Sequence, residues 1–84
     1  MKTKLIECGL LVQGESGDPI IGISSAWSVL ARLGYPGRYA GKTLDGLYEY
    51  VIVDSRTGTL LTSGKGSTLP MAMCEAALAV RTSE

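Results

Sequence analysis

The sequence predicts an α+β domain in which two helices pack on a small antiparallel sheet, in the order βαββα. Three observations carry this. Apolar residues recur at helical spacing over residues 19–33. An aromatic and β-branched run at 47–54 leads straight into a turn, Asp54-Ser-Arg-Thr-Gly58. The stretch from Leu69 to Val80 is almost wholly apolar and follows a helix-start signal at Thr68 and Pro70.

The elements follow in chain order. Residues 4–12, Lys-Leu-Ile-Glu-Cys-Gly-Leu-Leu-Val, have mixed periodicity. Gly9 disfavours a helix interior, so a strand is expected, although a short apolar run is also compatible with a helix. Residues 13–18 form a polar loop. Asp18-Pro19 is a good helix start, since Asp caps free N–H groups and Pro suits the first turn. Ile23, Ala26, Trp27, Leu30 and Leu33 then form one apolar stripe, which places Trp27 in the core. Gly34 supplies the left-handed cap, and Pro36 prevents resumption. Residues 34–46 hold four of the eleven glycines and read as a long irregular loop.

Alternation in the strand 47–54 puts Tyr48, Tyr50 and Ile52 on one face and Glu49, Val51 and Val53 on the other. Gly58 can take the positive φ of a hairpin bulge, so residues 59–63 are the antiparallel partner. Apolar residues on both faces imply that both are at least partly covered. In the last helix only Glu75 is charged. A helix apolar all round must be buried all round, so a second copy of the chain is expected to cover it. Its four alanines would admit a neighbouring backbone closely.

Composition narrows the function. One domain of 84 residues carries eight basic and eight acidic side chains. Zero net charge argues against direct nucleic-acid binding and against an acidic DNA mimic. No apolar run reaches the roughly 18 residues of a membrane span. Glu7 and Gly9 interrupt the first apolar stretch and no cleavage signal follows, so a cytoplasmic protein is expected. There is no histidine, which removes the commonest general base and metal ligand. Cys8 and Cys74 form no metal-binding spacing and read as small buried apolar residues. No cofactor and no catalytic residues are expected.

Two segments are candidate ligand sites. Gly64-Lys65-Gly66-Ser67-Thr68 resembles a phosphate cradle: a helix start offers free N–H groups, Lys65 a charge, Ser67 and Thr68 hydroxyls. It is not a Walker A loop, because the glycine spacing is wrong. The competing reading is plain strand-to-helix turn chemistry. In the second segment, Tyr35 to Lys42, Tyr39 could stack on a ring while Arg38 or Lys42 pairs with a phosphate. The competing reading is a loop whose tyrosines cover a core edge.

Ile23-Ser-Ser-Ala-Trp-Ser-Val-Leu30 and Thr68-Leu-Pro-Met-Ala-Met-Cys-Glu-Ala-Ala-Leu78 together resemble the two helical motifs of small bacteriophage proteins described as the phage ABA sandwich domain. The likeness covers roughly residues 20–80 and rests on short motifs. Met73 stands where that family has Ile, and Gly22 replaces a polar residue at the helix start. The resemblance implies a phage origin, an infected bacterial host and helix–sheet–helix layering. It implies no catalytic residues.

Two functions follow as expectations. In the first, a counter-defence protein sequesters a cyclic nucleotide or ADP-ribose-type signalling molecule in a pocket between protomers, held by Arg38, Tyr39, Lys42, Lys65, Ser67 and Thr68. In the second, the chain is a structural phage protein or a protein–protein inhibitor, such as an anti-CRISPR acting by steric occlusion.

Overall fold

A computed structural model describes residues 2–12, 14 and 22–83. The elements are α1 (Lys2–Glu7), α2 (Ile23–Leu33), β1 (Gly37–Lys42), β2 (Tyr48–Val53), β3 (Leu60–Gly66) and α3 (Leu69–Ser83). The α+β class, the antiparallel sheet and the helices packed on it are as the sequence predicts. The order is ααβββα rather than βαββα, and two segments account for the difference.

Residues 4–12 are not a strand. They hold the end of α1 and a Schellman-type stop. Gly9 donates to Ile6 O at 3.0 Å, and Leu10 donates to Leu5 O at 2.9 Å. Gly9 has φ +77, the left-handed conformation that ends a helix and costs glycine no steric strain. The residue that disfavours a helix interior is therefore the one that stops it. Leu5 and Leu10 are both fully buried, the apolar pair that commonly accompanies this motif. Arg32 Nη1 donates to Leu10 O at 3.1 Å and ties the stop to α2.

The second correction is β1. The 34–46 segment contains a strand, Gly37–Lys42, paired antiparallel with β2 from Gly37↔Ile52 to Lys42↔Tyr48. A bulge falls between Tyr39 and Gly41. Glycine-rich composition hid this edge strand, because its pairing comes from β2 and not from its own propensity.

The helix at Gly34 ends as expected, with φ 84 and its N–H on Leu30 O. The Asp18-Pro19 cap lies outside the described residues. On α2 the buried residues are Ala26, Val29, Leu30 and Leu33. Trp27 is 53% exposed, so its expected place in the core is corrected: the buried stripe runs through Val29. In the hairpin, Asp54 Oδ1 accepts the Arg56 N–H at 2.8 Å, and Gly58 donates to Asp54 O at 2.7 Å.

The sheet order is β1-β2-β3. The helical layer lies against the Tyr50–Ile52 face, where α3 contacts β2, β3, α1 and α2. Trp27 of α2 meets Tyr50 edge-on, with centroids 6.3 Å apart. Tyr50, Ile52, Val29, Met73, Cys74 and Ala76 form one buried cluster with Leu5 and Leu10. Among the described residues no helix covers the Glu49–Val51–Val53 face. Among the described residues the helices form one layer, on the Tyr50–Ile52 face, in place of the expected helix–sheet–helix layering.

The apolar α3 is buried by this chain. Ala72, Met73, Cys74, Ala76, Ala77, Leu78 and Val80 are all buried among the sheet and the other helices. The closely approaching backbone that its alanines admit is β3. The burial of α3 therefore does not call for a second copy.

Candidate functional site

Within one chain the six expected ligand residues do not come together. Gly64, Lys65 and Gly66 are strand residues of β3 and not a loop. The two glycines face α3 because nothing larger fits. A Cβ on Gly64 would overlap the backbone of Ala76 and Ala72, and one on Gly66 would come within 2.8 Å of Met71. Lys65 alternates to the opposite side, where it pairs across the strands with Glu49. The phosphate cradle therefore does not assemble: its glycines serve helix–sheet packing, and its lysine points away from the helix start.

Thr68 does what a cap does. Its Oγ1 accepts the Met71 N–H at 3.2 Å, and its carbonyl accepts the Ala72 N–H at 3.1 Å. Ser67 Oγ donates to Met71 Sδ at 3.8 Å. Both residues sit at the α3 start, apart from the Arg38 group. In β1, Lys42 Nζ lies 4.8 Å from the centroid of the Tyr48 ring, a cation–π contact. The Tyr39 ring is tilted 6.2 Å from the same Tyr48. Lys42 and Tyr39 are thus engaged with a neighbouring strand.

The structure does bring Arg38 to a concave surface. A groove of about 480 Å³ on the sheet face that no described helix covers is lined by Arg38, Tyr39, Val51, Val53, Gly58 and Leu60. Arg38 and Val51 are direct cross-strand partners, as are Val53 and Leu60. Lys65 shares the face, two strands and two residues from Arg38, roughly 12 Å away by sheet spacings. On this face Val51 and Val53 lie along β2, with Glu49 beside Lys65 and Arg38 on the other edge strand. Leu60 and Leu61, in β3, are both exposed.

Sequence reasoning missed the groove-lining residues Val51, which is buried, and Val53 and Leu60. The signal was present in the alternation, which sets the two valines opposite Tyr48 and Tyr50. What it could not supply was that no described helix lies over that face. A separate cleft of about 330 Å³ between α1 and α3 holds Lys4 and Glu75 and none of the expected residues. Among the described residues no group of three or more His, Cys, Asp or Glu side chains could hold a metal ion. Among the described residues no helix is long and apolar enough to cross a membrane. Compared with protein-family models, with curated proteins and with solved structures, the chain matches none.

Proposed function

We propose that this chain is a non-catalytic binding protein whose working surface is the face of its sheet away from the helices, docked on the surface of another protein. The observation that carries this is the groove in which half-buried Val53 and exposed Leu60 lie beside Arg38, over the buried Val51. Apolar patches rimmed by polar groups are how protein surfaces recognise one another. Docking by occlusion needs no nucleophile, base or metal, which agrees with the scattered acids and the lack of histidine. The resemblance to a phage family makes counter-defence in a bacterial host the setting to test first.

A second reading draws on Arg38 and Tyr39, which line the same groove. A nucleotide-type signalling molecule could place its phosphate on Arg38. The groove is open, so a second copy would have to close over the ligand.

One paired experiment separates the readings. The wild type and the double variant Val53→Lys/Leu60→Lys are compared as bait in host lysate and by sedimentation. Val53 is half-buried and Leu60 exposed, so the fold is expected to survive. Docking through this face predicts a protein retained by the wild type and lost by the variant. Equal retention by both overturns it. A rise in melting temperature with cyclic di- or trinucleotides or cyclic ADP-ribose isomers, lost in Arg38→Ala, selects the second reading.

A further inference from the structure

The two edges of the sheet differ. β1 carries a bulge between Tyr39 and Gly41 and the cations Arg38 and Lys42, features that blunt an edge against further strands. β3 has no proline and pairs regularly with β2 from Tyr48↔Gly66 to Ile52↔Thr62. Three hydrogen bonds fix which way its backbone points. The Val53 N–H donates to Pro36 O and the Thr43 N–H to Leu47 O, both towards β1, whereas the Asp54 N–H donates to Thr59 O, towards β3. By alternation Glu49, Val51 and Val53 turn their N–H and C=O groups to β1, and Tyr48, Tyr50 and Ile52 turn theirs to β3. The β3 partners of those three are Gly66, Gly64 and Thr62. Ser63 and Lys65 therefore point their N–H and C=O groups away from the sheet. Among the described residues no hydrogen bond beyond this ladder reaches Leu60–Gly66, and Ser63 and Lys65 are both exposed.

We propose that the β3 edge takes up an extended segment of a partner protein as a fourth strand, antiparallel to β3, with a carboxylate beside Lys65 and an apolar side chain beside Leu61. An open edge recognises a main chain, and the neighbouring side chains add selectivity. An antiparallel segment sets its residues i, i+2 and i+4 opposite Lys65, Ser63 and Leu61. Lys65 favours Asp or Glu at i. Leu61, 43% exposed and without a partner on β2, favours an apolar residue at i+4. A second copy of the chain fits less well. The α3 backbone at Ala72 and Ala76 lies directly over Gly64. Pairing two β3 edges would bring two α3 helices about 4.8 Å apart, inside the roughly 8–10 Å that packed helices keep. The β1 edge of another copy would set Arg38 and Lys42 against Lys65. A segment without a helix meets neither obstacle. The site is a backbone edge and not the groove at Val53 and Leu60, so it does not rest on the sheet-face reading.

The test follows the whole chain by NMR, with amide hydrogen exchange and titration by the peptide acetyl-Thr-Glu-Thr-Val-Thr-Val-Thr-amide. In the free chain the Ser63 and Lys65 amides should exchange fast, and those of Thr62, Gly64 and Gly66 slowly. Saturating peptide should slow the Ser63 and Lys65 amides about tenfold or more. The same peptide N-methylated at its first valine, opposite Ser63, keeps every side chain and should not bind. Ser63→Pro removes the matching N–H from the chain, leaves the β2 ladder intact and should weaken binding about two- to tenfold. Lys65→Glu should reverse the preference, so that a peptide with lysine in place of glutamate binds better than the original. That swap keeps the test decisive should Ser63→Pro fail to fold. No spectral change with the peptide at millimolar concentration overturns the proposal. So does equal binding of the N-methylated peptide, or an unchanged preference in Lys65→Glu. Ser63 and Lys65 amides already protected in the free chain overturn it too, and a dimer in sedimentation would then assign the edge to a second copy.

Discussion

Gly64 of β3 lies directly against the backbone of Ala76 in α3, so closely that no side chain fits between strand and helix. Ala72, one turn earlier, closes the same contact. This packing seats α3 on the sheet.

Gly64→Ala should therefore be severely destabilising. Its methyl meets main-chain atoms, which cannot rotate away. A loss of about 3 kcal/mol is expected, a large share of what a domain this small holds. Gly66→Ala meets Met71 at its Cβ and Cγ and the Ala72 nitrogen at 2.9 Å, contacts less close than those at Gly64. Its cost should be smaller, about 1–2 kcal/mol. Urea denaturation of both variants checks the ranking, and a Gly66 variant as unstable as the Gly64 one would contradict it.

That contact also shows why part of this fold was legible and part was not. Gly64-Lys65-Gly66 reads equally as an anion loop or as a strand under a helix, because both uses require a residue with no side chain. Only the position of α3 decides between them. Gly9 was ambiguous in the same way, being a helix breaker in the interior and a helix stop at the end. The capping signals at Gly34 and Thr68 and the hairpin at Asp54–Gly58 were legible because each is local chemistry with one structural solution. Trp27 was misplaced because two apolar stripes on α2 overlap, and the better packed one runs through Val29. The sheet face that no described helix covers was beyond reach, since nothing local reveals where a helical layer will lie.

Thr68 is a cap and not part of a phosphate cradle, and the two roles predict different behaviour. Thr68→Ala should cost about 1 kcal/mol, from loss of the hydroxyl that accepts the Met71 N–H. Thr68→Ser should recover most of it. Ser67→Ala, one residue earlier and exposed, should stay within about 0.5 kcal/mol. Thermal melts of the three variants measure this, and inorganic phosphate should leave the order unchanged.

Burial raises the Tyr50 hydroxyl above its ordinary pKa of 10.0. The unfolded chain ionises this group near pH 10, while the folded chain holds the proton to higher pH. The unfolded state then binds fewer protons, so stability is unaffected by Tyr50 well below pH 10 and is lost as pH rises through the folded value. The slope is at most about 1.4 kcal/mol per pH unit. Urea midpoints of wild type and Tyr50→Phe should run parallel at neutral pH. Above pH 10 the wild type should fall away faster, and parallel curves there would place the phenol in water.

The two thiols, neither in a disulfide, should differ sharply in reactivity. Cys8 is half-buried at the end of α1, whereas Cys74 is fully buried in α3. A thiol reagent in excess should modify one sulfur per chain quickly under native conditions. The second should react only as fast as α3 opens, because attack needs an accessible thiolate. Since α3 is packed on the sheet and on α2, its opening approaches global unfolding. The slow rate should therefore rise with urea in step with the unfolding equilibrium, and the fast one should not. Rapid reaction of both thiols in native buffer would show that α3 is not seated as described.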